Sequence, residues 1–224
     1  MINLSELVFL LLIILCVFFI FIGHRYFSKK EFYLLGIIYT IISFLMSFKL
    51  ISVFGMSINA GIIFTSGIYM LIYYFIKKYD IKEYKRFILV IVITSLVFDM
   101  FLLSTSYMIP SIYDEMASLY QGLVFDNLII FILFPVVTCV IAYLIGYSFS
   151  NLMGEEKRNL KLIIAIIGIM FIDCFLFIYF SYAVLIRFDN AIVIAIENYF
   201  VKSIIMVLYM FLVNRIIDVK KVKV

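Results

Sequence analysis

The feature that most constrains the fold of this chain is a series of apolar segments, each about 20 residues long. A helix of about 20 apolar residues crosses the ~30 Å hydrocarbon core of a bilayer and satisfies its own backbone hydrogen bonds there. The segments lie near residues 5–22, 32–54, 58–76, 87–108, 127–152, 160–185 and 191–217. We therefore predict an all-α, polytopic membrane helix bundle with seven transmembrane helices, forming one transmembrane domain over residues 1–224.

The composition agrees with a membrane location. Hydrophobic residues make up 67% of the chain, and its mean hydropathy is +1.23. Soluble domains contain about 45–50% apolar residues, because their apolar surface must be buried away from water. The first apolar segment has no basic residue before it and ends at Gly23-His24-Arg25, without a small-residue cleavage site. We expect it to be a retained helix rather than a cleaved signal peptide.

The distribution of basic residues predicts the orientation, because Lys and Arg in short loops stay on the cytoplasmic side. The connector at 77–86 contains five Lys and Arg residues, whereas the connector at 109–126 contains acids and neither Lys nor Arg. Basic residues also follow the first, fifth and last segments. This alternation places the N-terminus outside and the C-terminus in the cytoplasm, which requires an odd number of spans. The expected location is the plasma or inner membrane of a bacterium, as a multi-pass protein.

Several function classes are disfavoured by the residues present. The net charge of +4 resides in the short loops, so we expect the lipid bilayer and not nucleic acid as partner. Cys16, Cys139 and Cys174 lie within apolar segments and lack metal-ligand spacing, so no metal or other cofactor is expected. The chain has a single histidine, His24, and no catalytic or phosphate-binding motif. We therefore expect a protein that is not an enzyme.

Among the ionisable residues within the apolar segments, four carry the site prediction: Lys49, Asp99, Asp173 and Lys202. A charge near the bilayer centre costs about 2.5–3.5 kcal/mol on insertion scales, and such groups usually face a bundle interior or an aqueous cavity. Asp99, Asp173 and Lys202 fall near the middle of their segments, whereas Lys49 falls nearer the outer end of its segment. Asn198 precedes Lys202 by one helical turn, on the same face. These five residues are the predicted substrate-binding residues.

A purely structural interpretation of the same residues stays open at this point. An Asp99–Lys202 or an Asp173–Lys202 ion pair would fix helix packing without contacting any ligand. The long stem of Lys49 allows its ammonium group to reach the outer interface by snorkelling. Several ionisable groups at similar depth on different helices favour a cavity over a single packing contact.

Short motifs also follow one another along the chain in a distinctive order. They are Phe27-Ser28-Lys29-Lys30-Glu31-Phe32, Lys49 ahead of Phe54-Gly55, Ala60-Gly61, Pro110 to Asp114, Ala142-Tyr143-Leu144, Asp173, and Tyr199 with Lys202. In this order and spacing, most of the chain resembles the VUT family of YhhQ-like transporters for vitamins and queuosine precursors. The resemblance implies uptake of a deazapurine or another small heterocycle. In that family context Asp173 would accept hydrogen bonds from ligand N–H groups, and Lys202 would set its charge state or bond a ring acceptor.

Departures from the family pattern keep two alternatives open. Phe44 and Met46 stand where family members carry a polar pair, and Asp99 has no counterpart. One alternative is a non-transporting membrane sensor or accessory protein whose pocket has decayed. The other is the substrate-binding component of an energy-coupled vitamin importer, which would assemble with a membrane partner and ATPases. The expected partners are thus the bilayer, a small heterocyclic substrate and either a second copy of the chain or such an ATPase complex.

Overall fold

A computed structural model describes residues 3–47, 49–79, 81–107, 158–179 and 188–221, together with Val137, Val140 and Leu144. The described chain is mostly helical, as predicted. In order, its elements are α1 (Leu4–Tyr26), α2 (Lys29–Met46), β1 (Leu50–Val53), β2 (Met56–Asn59), α3 (Ile62–Lys78), α4 (Ile81–Ser106), α5 (Arg158–Asp173), a π-helical segment (Cys174–Tyr179) and α6 (Phe188–Lys221). Apart from those three residues, the predicted loop at 109–126 and the predicted span at 127–152 lie outside the described residues.

Three described helices are long and apolar enough to cross a membrane: α1, α4 over Lys82–Ser104, and α6 over Asp189–Arg215. Each carries an outward stripe of exposed apolar side chains at helical spacing. Such stripes are unfavourable in water and match the acyl chains of a bilayer. On α1 the stripe is Leu7, Leu11, Ile14 and Phe18; on α4 it is Leu89, Ile93, Val97 and Met100; on α6 it is Ile196, Phe200, Ile204 and Val207.

Helix α3 forms the centre of the described bundle and packs against α1, α2, α4 and α6. From Ile62 to Ile76 its side chains are buried on every face, with only Thr65 partly exposed. A helix that is apolar all round is stable when neighbouring helices surround it. Gly67 allows α3 and α2 to approach closely, because an added Cβ would lie 2.9 Å from the ring of Tyr39 on α2. Small residues at such contacts are typical of membrane helix packing.

The predicted helical span at 32–54 is wrong beyond Met46, and residues 58–59, the start of the predicted span at 58–76, belong to a strand. Helix α2 ends at Met46, and β1 and β2 form an antiparallel hairpin in which Leu50 pairs with Asn59 and Val53 with Met56. The two turn residues, Phe54 and Gly55, have φ angles of 51° and 77°, as a tight two-residue hairpin turn requires. On either side of the turn the sequence alternates β-branched and polar residues, Ile51-Ser52-Val53 and Ser57-Ile58-Asn59, and this alternation favours strands.

Acidic and amide side chains from two helices hold this hairpin in place. Glu6 on α1 accepts a hydrogen bond from the backbone N–H of Phe54 at 3.1 Å. Glu197 on α6 accepts one from the N–H of Ser57 at 2.7 Å. Backbone groups removed from water need such partners, so the two carboxylates stabilise a short hairpin that would be marginal alone. The hairpin is thereby fixed against the end of the bundle where α1 and α6 meet it.

The predicted span at 160–185 also differs from a uniform helix. Helix α5 ends at Asp173, and the next six residues, Cys174–Tyr179, are π-helical. A π-helical turn is wider than an α-helical turn and is frequently found at functional sites. Asp173 therefore lies at the junction between the α-helical and the π-helical turns.

Candidate functional site

Asp173 and Lys202 form a buried ion pair between α5 and α6. The Lys202 Nζ donates a hydrogen bond to Asp173 Oδ2, and the two residues are only 4% and 7% exposed, in that order. The ammonium group also lies 4.9 Å from the ring centroid of Tyr69 on α3, within the range of a cation–π interaction. Tyr69 interacts with the Asp173 carboxylate as well. The pair is thus supported by a buried aromatic side chain from the central helix.

This ion pair lines a pocket inside the bundle. The volume open to the centre of a water-sized sphere inside the pocket is about 60 Å³, enough for a few water molecules, since one water needs about 10–15 Å³ on this measure. Much of the wall is apolar and comes from α3, α4 and the π-helical segment: Ile62, Ile68, Ile72, Ile88, Ile91 and Phe177. The polar lining other than the ion pair consists of Thr40, Ser47, Asn59, Thr65, Tyr69, Cys174 and Asn198. An apolar wall with a few convergent polar groups suits a small ligand with defined hydrogen-bonding edges.

Asn198 connects the hairpin to the helix that carries Lys202. Its Oδ1 accepts a hydrogen bond from the backbone N–H of Asn59 at 2.8 Å. Its Nδ2 donates to the carbonyl of Ile194 at 2.7 Å and to that of Ser57 at 3.4 Å. Both amide hydrogens are therefore engaged by the protein, and one lone pair of the oxygen is left over. The geometry makes Asn198 chiefly an anchor for β2 at the pocket wall.

Asn59 extends this anchor to helix α2. Its side-chain Nδ2 donates to the carbonyl of Ser47 at 2.8 Å, and its Oδ1 accepts from the N–H of Gly61 at 2.8 Å. Gly61 has no room for a side chain, because an added Cβ would lie 2.5 Å from the carbonyl oxygen of Ser43. A chain of hydrogen bonds therefore runs from α2 through β2 to α6 along one side of the pocket.

Two of the five predicted site residues are not among the residues that line this pocket. Lys49 is exposed and lies between α2 and β1, outside any helix, so its predicted place inside a second span is wrong. Asp99 is buried on α4, with 5% of its surface exposed. Asp173, Asn198 and Lys202 are brought together as lining residues.

The sequence pattern did not identify Tyr69, Thr65, Thr40 or Asn59 as lining residues. Thr65 and Tyr69 stand four residues apart, so they share a face of α3, and Tyr69 is the residue that contacts Lys202. This polar face was a usable signal within an otherwise apolar segment. Asn59 was not predicted to line the pocket, because it belongs to β2 and the sequence predicted a helix from residue 58.

A second cluster of titratable side chains, His24, Tyr74 and Lys78, lies near the start of α2. The Nδ1 atom of His24 and the Tyr74 hydroxyl oxygen are 2.9 Å apart, and the Lys78 ammonium donates to the same hydroxyl. Cys16 and Cys174 are buried free thiols. Within the described ranges no group of three or more His, Cys, Asp or Glu side chains has the arrangement of a metal site.

Comparison with known proteins gives no assignment. No protein family matches the sequence, and neither the curated proteins nor the solved structures contain a match.

Proposed function

We propose that this protein is a small-molecule transporter of the cell membrane whose binding site is the pocket around Asp173 and Lys202. The observation that carries the proposal is the position of this ion pair: it forms part of the wall of a pocket inside the bundle instead of being packed over by apolar side chains. Buried ionisable groups in membrane-spanning segments commonly mark substrate or ion pathways.

The lining supports a neutral, flat and partly polar ligand. Isoleucine side chains and Phe177 supply apolar contacts, and Tyr69 supplies an aromatic face. A carboxylate has about four lone-pair positions, so Asp173 retains acceptor capacity for a ligand N–H while it holds Lys202. Threonine hydroxyls at Thr40 and Thr65 can donate to ring nitrogens or carbonyl oxygens once they release their backbone acceptors. A nitrogen heterocycle has this combination of apolar faces and polar edges.

The resemblance to the VUT family narrows the proposed substrate to a deazapurine queuosine precursor or a small vitamin. The support is the order of motifs along the chain, in which Lys49, Asp173 and Lys202 occupy matching positions. The proposed topology has seven spans, an outside N-terminus and a cytoplasmic C-terminus. In that topology the β-hairpin lies at the outer end of the bundle and the His24–Tyr74–Lys78 group at the cytoplasmic end.

The test is restoration of queuosine in the tRNA of a bacterium that lacks its own precursor transporter and is fed limiting precursor. Wild-type protein is expected to restore queuosine, and Asp173→Asn and Lys202→Met are expected to abolish the effect while still reaching the membrane. Ser104→Ala is a matched control, because Ser104 is exposed on α4 and its hydroxyl donates to the carbonyl of Met100 in the same helix. Absence of rescue by membrane-inserted wild-type protein would contradict a queuosine-precursor substrate.

A second candidate is a non-transporting sensor or accessory protein. The specific observation that favours it is the mutual neutralisation of Asp173 and Lys202, which leaves no net charge at the pocket wall. In that case the pair serves packing, and the purified protein should show no thermal shift with any deazapurine base. A thermal shift without rescue would instead support a binding component that depends on a membrane partner and ATPases, which copurification from the native membrane would reveal.

A further inference from the structure

Asp99 is a buried acid that does not line the pocket. It is 5% exposed, and neither of its carboxylate oxygens has a hydrogen-bond partner among the residues that the structure describes. It lies on the inner face of α4, which also carries Ile88, Ile91 and Ser95 at helical spacing. Ile88 and Ile91 line the pocket, so Asp99 continues the same face about 12 Å beyond Ile91 at ~1.5 Å per residue.

Ser95 carries the nearest polar side chain on this face, but it does not hydrogen-bond to Asp99. Its hydroxyl donates to the carbonyl of Ile91 at 3.1 Å, within the helix. The neighbouring Phe98 packs against Phe44 of α2, with ring centroids 5.4 Å apart. Asp99 is therefore placed in an apolar part of the bundle, near the outer end of α2.

The charged side chains of the helices that pack against α4 lie far from Asp99 along the helix axes. Helices α2 and α3 make the main described contacts with α4. Two titratable side chains lie in the part of α2 near Phe44 and in the adjoining part of α3. They are Tyr39, which donates to the Cys16 carbonyl, and Tyr69, which faces Lys202. The charged residues of α2, α3 and α4 are at the opposite ends of these helices, about 20 Å away at ~1.5 Å per residue: Lys29, Lys30, Glu31, Lys77, Lys78, Lys82, Glu83, Lys85 and Arg86.

Two further charged residues, Lys49 and Lys202, lie nearer to Asp99, and neither is paired with it among the described contacts. Lys49 follows the end of α2, but its side chain is exposed, and no ion pair joins it to Asp99 among the described contacts. Lys202 is engaged by Asp173. An ionised carboxylate without a partner in such surroundings is strongly unfavourable, and a carboxyl group in this situation takes up a proton.

We propose that Asp99 is a proton-binding site inside the bundle: a carboxyl group that carries a proton in this conformation, separate from the Asp173–Lys202 pair. Its ligand is the proton itself. Release of that proton requires a conformation in which water or a basic group reaches Asp99 from its end of the pocket face. If the transport activity proposed above is correct, this site supplies a coupling proton, but proton binding does not rest on that activity.

The test is infrared spectroscopy of the full chain in lipid vesicles, with aspartate carboxyl carbons labelled with ¹³C. At neutral pH, where exposed aspartates are ionised, the wild-type protein is expected to show the C=O stretch of a protonated carboxylic acid, shifted by the label. The band is expected to be lost in Asp99→Asn and retained in Asp189→Asn, whose side chain is exposed at the start of α6. The absence of this band in folded wild-type protein, or its persistence in Asp99→Asn, would overturn the proposal.

A second variant keeps the test decisive if Asp99→Asn does not fold. Asp99→Glu retains a carboxyl group that the aspartate label does not reach, so the protonated band should remain and lose its isotope shift. A band that keeps its full isotope shift in this variant would place the proton on another aspartate. Because neither measurement uses a transport ligand, a negative result here is distinguishable from a failure of queuosine rescue.

Discussion

Two aspartates in this bundle have nearly the same local sequence and burial, yet their surroundings differ completely. Asp99 follows Val97-Phe98, Asp173 follows Phe171-Ile172, and the residues are 5% and 7% exposed. Asp173 holds Lys202 at the wall of a pocket, whereas Asp99 has no partner in the described chain. Burial alone therefore does not determine whether a membrane carboxyl group is charged. A cation on a facing helix decides it, and the two acids become an ion-pair site and a proposed proton site.

Removal of Lys202 should make Asp173 resemble Asp99, and it is the change with the largest expected effect. Lys202→Met leaves the Asp173 carboxylate buried without its cation, which typically destabilises a protein by about 3–5 kcal/mol. The measurement is reversible unfolding in mixed micelles, with membrane insertion checked by fractionation. The same variant is expected to gain a second protonated-aspartate band in the infrared spectrum. Unchanged stability and no added band would mean that Asp173 has another strong partner.

Replacement of both members of the pair should separate its structural role from its functional role. Asp173→Leu combined with Lys202→Met removes both charges, and such apolar replacements of buried pairs are often neutral or stabilising. We expect the double variant to recover most of the stability lost in Lys202→Met, by about 2–4 kcal/mol, while queuosine rescue remains absent. Rescue by the double variant would show that the ion pair serves packing only.

The sequence predicted which segments are helices better than it predicted which acid pairs with Lys202. The long apolar runs of α1, α4 and α6 are sufficient to predict helices that can cross a bilayer, because length and composition decide that property. The choice between Asp99 and Asp173 as partner of Lys202 was not available from the sequence. Both acids occupy the middle of an apolar run, and only the packing of α5 against α6 brings one of them to Lys202.

The hairpin shows a second limit of the sequence pattern. Residues 50–59 are apolar enough to extend the adjoining helices, and their alternation of apolar and polar residues is too short to exclude a helix by periodicity alone. Its strands depend on distant groups, since Glu6, Glu197 and Asn198 accept its backbone hydrogen bonds. Contacts between residues about 140 positions apart, such as Ser57 with Glu197, cannot be read from local propensity.

A change at Asn198 tests whether the hairpin is held by this side chain at the pocket wall that also carries Asp173. Asn198→Ala leaves the buried N–H of Asn59 without its acceptor, and an unsatisfied buried group costs about 1–3 kcal/mol. We expect that loss of stability, together with faster amide hydrogen exchange at Ser57 and Asn59. Asn190→Ala, an exposed change on the same helix, is the matched control. Equal exchange rates in the two variants would show that other contacts hold the hairpin.

The smallest effect on the free energy of unfolding is expected at Asp99, the acid without a partner in the described chain. A protonated carboxyl group and a carboxamide have nearly the same size and no net charge, so Asp99→Asn should change the free energy of unfolding by less than about 1 kcal/mol. The corresponding change at the paired acid, Asp173→Asn, should be several times larger, because it leaves the Lys202 ammonium buried without a carboxylate. Unfolding of both variants under identical conditions measures this difference directly. A loss at Asp99→Asn as large as at Asp173→Asn would mean that Asp99 is ionised and paired in the bundle, and the contrast between the two acids would then fail.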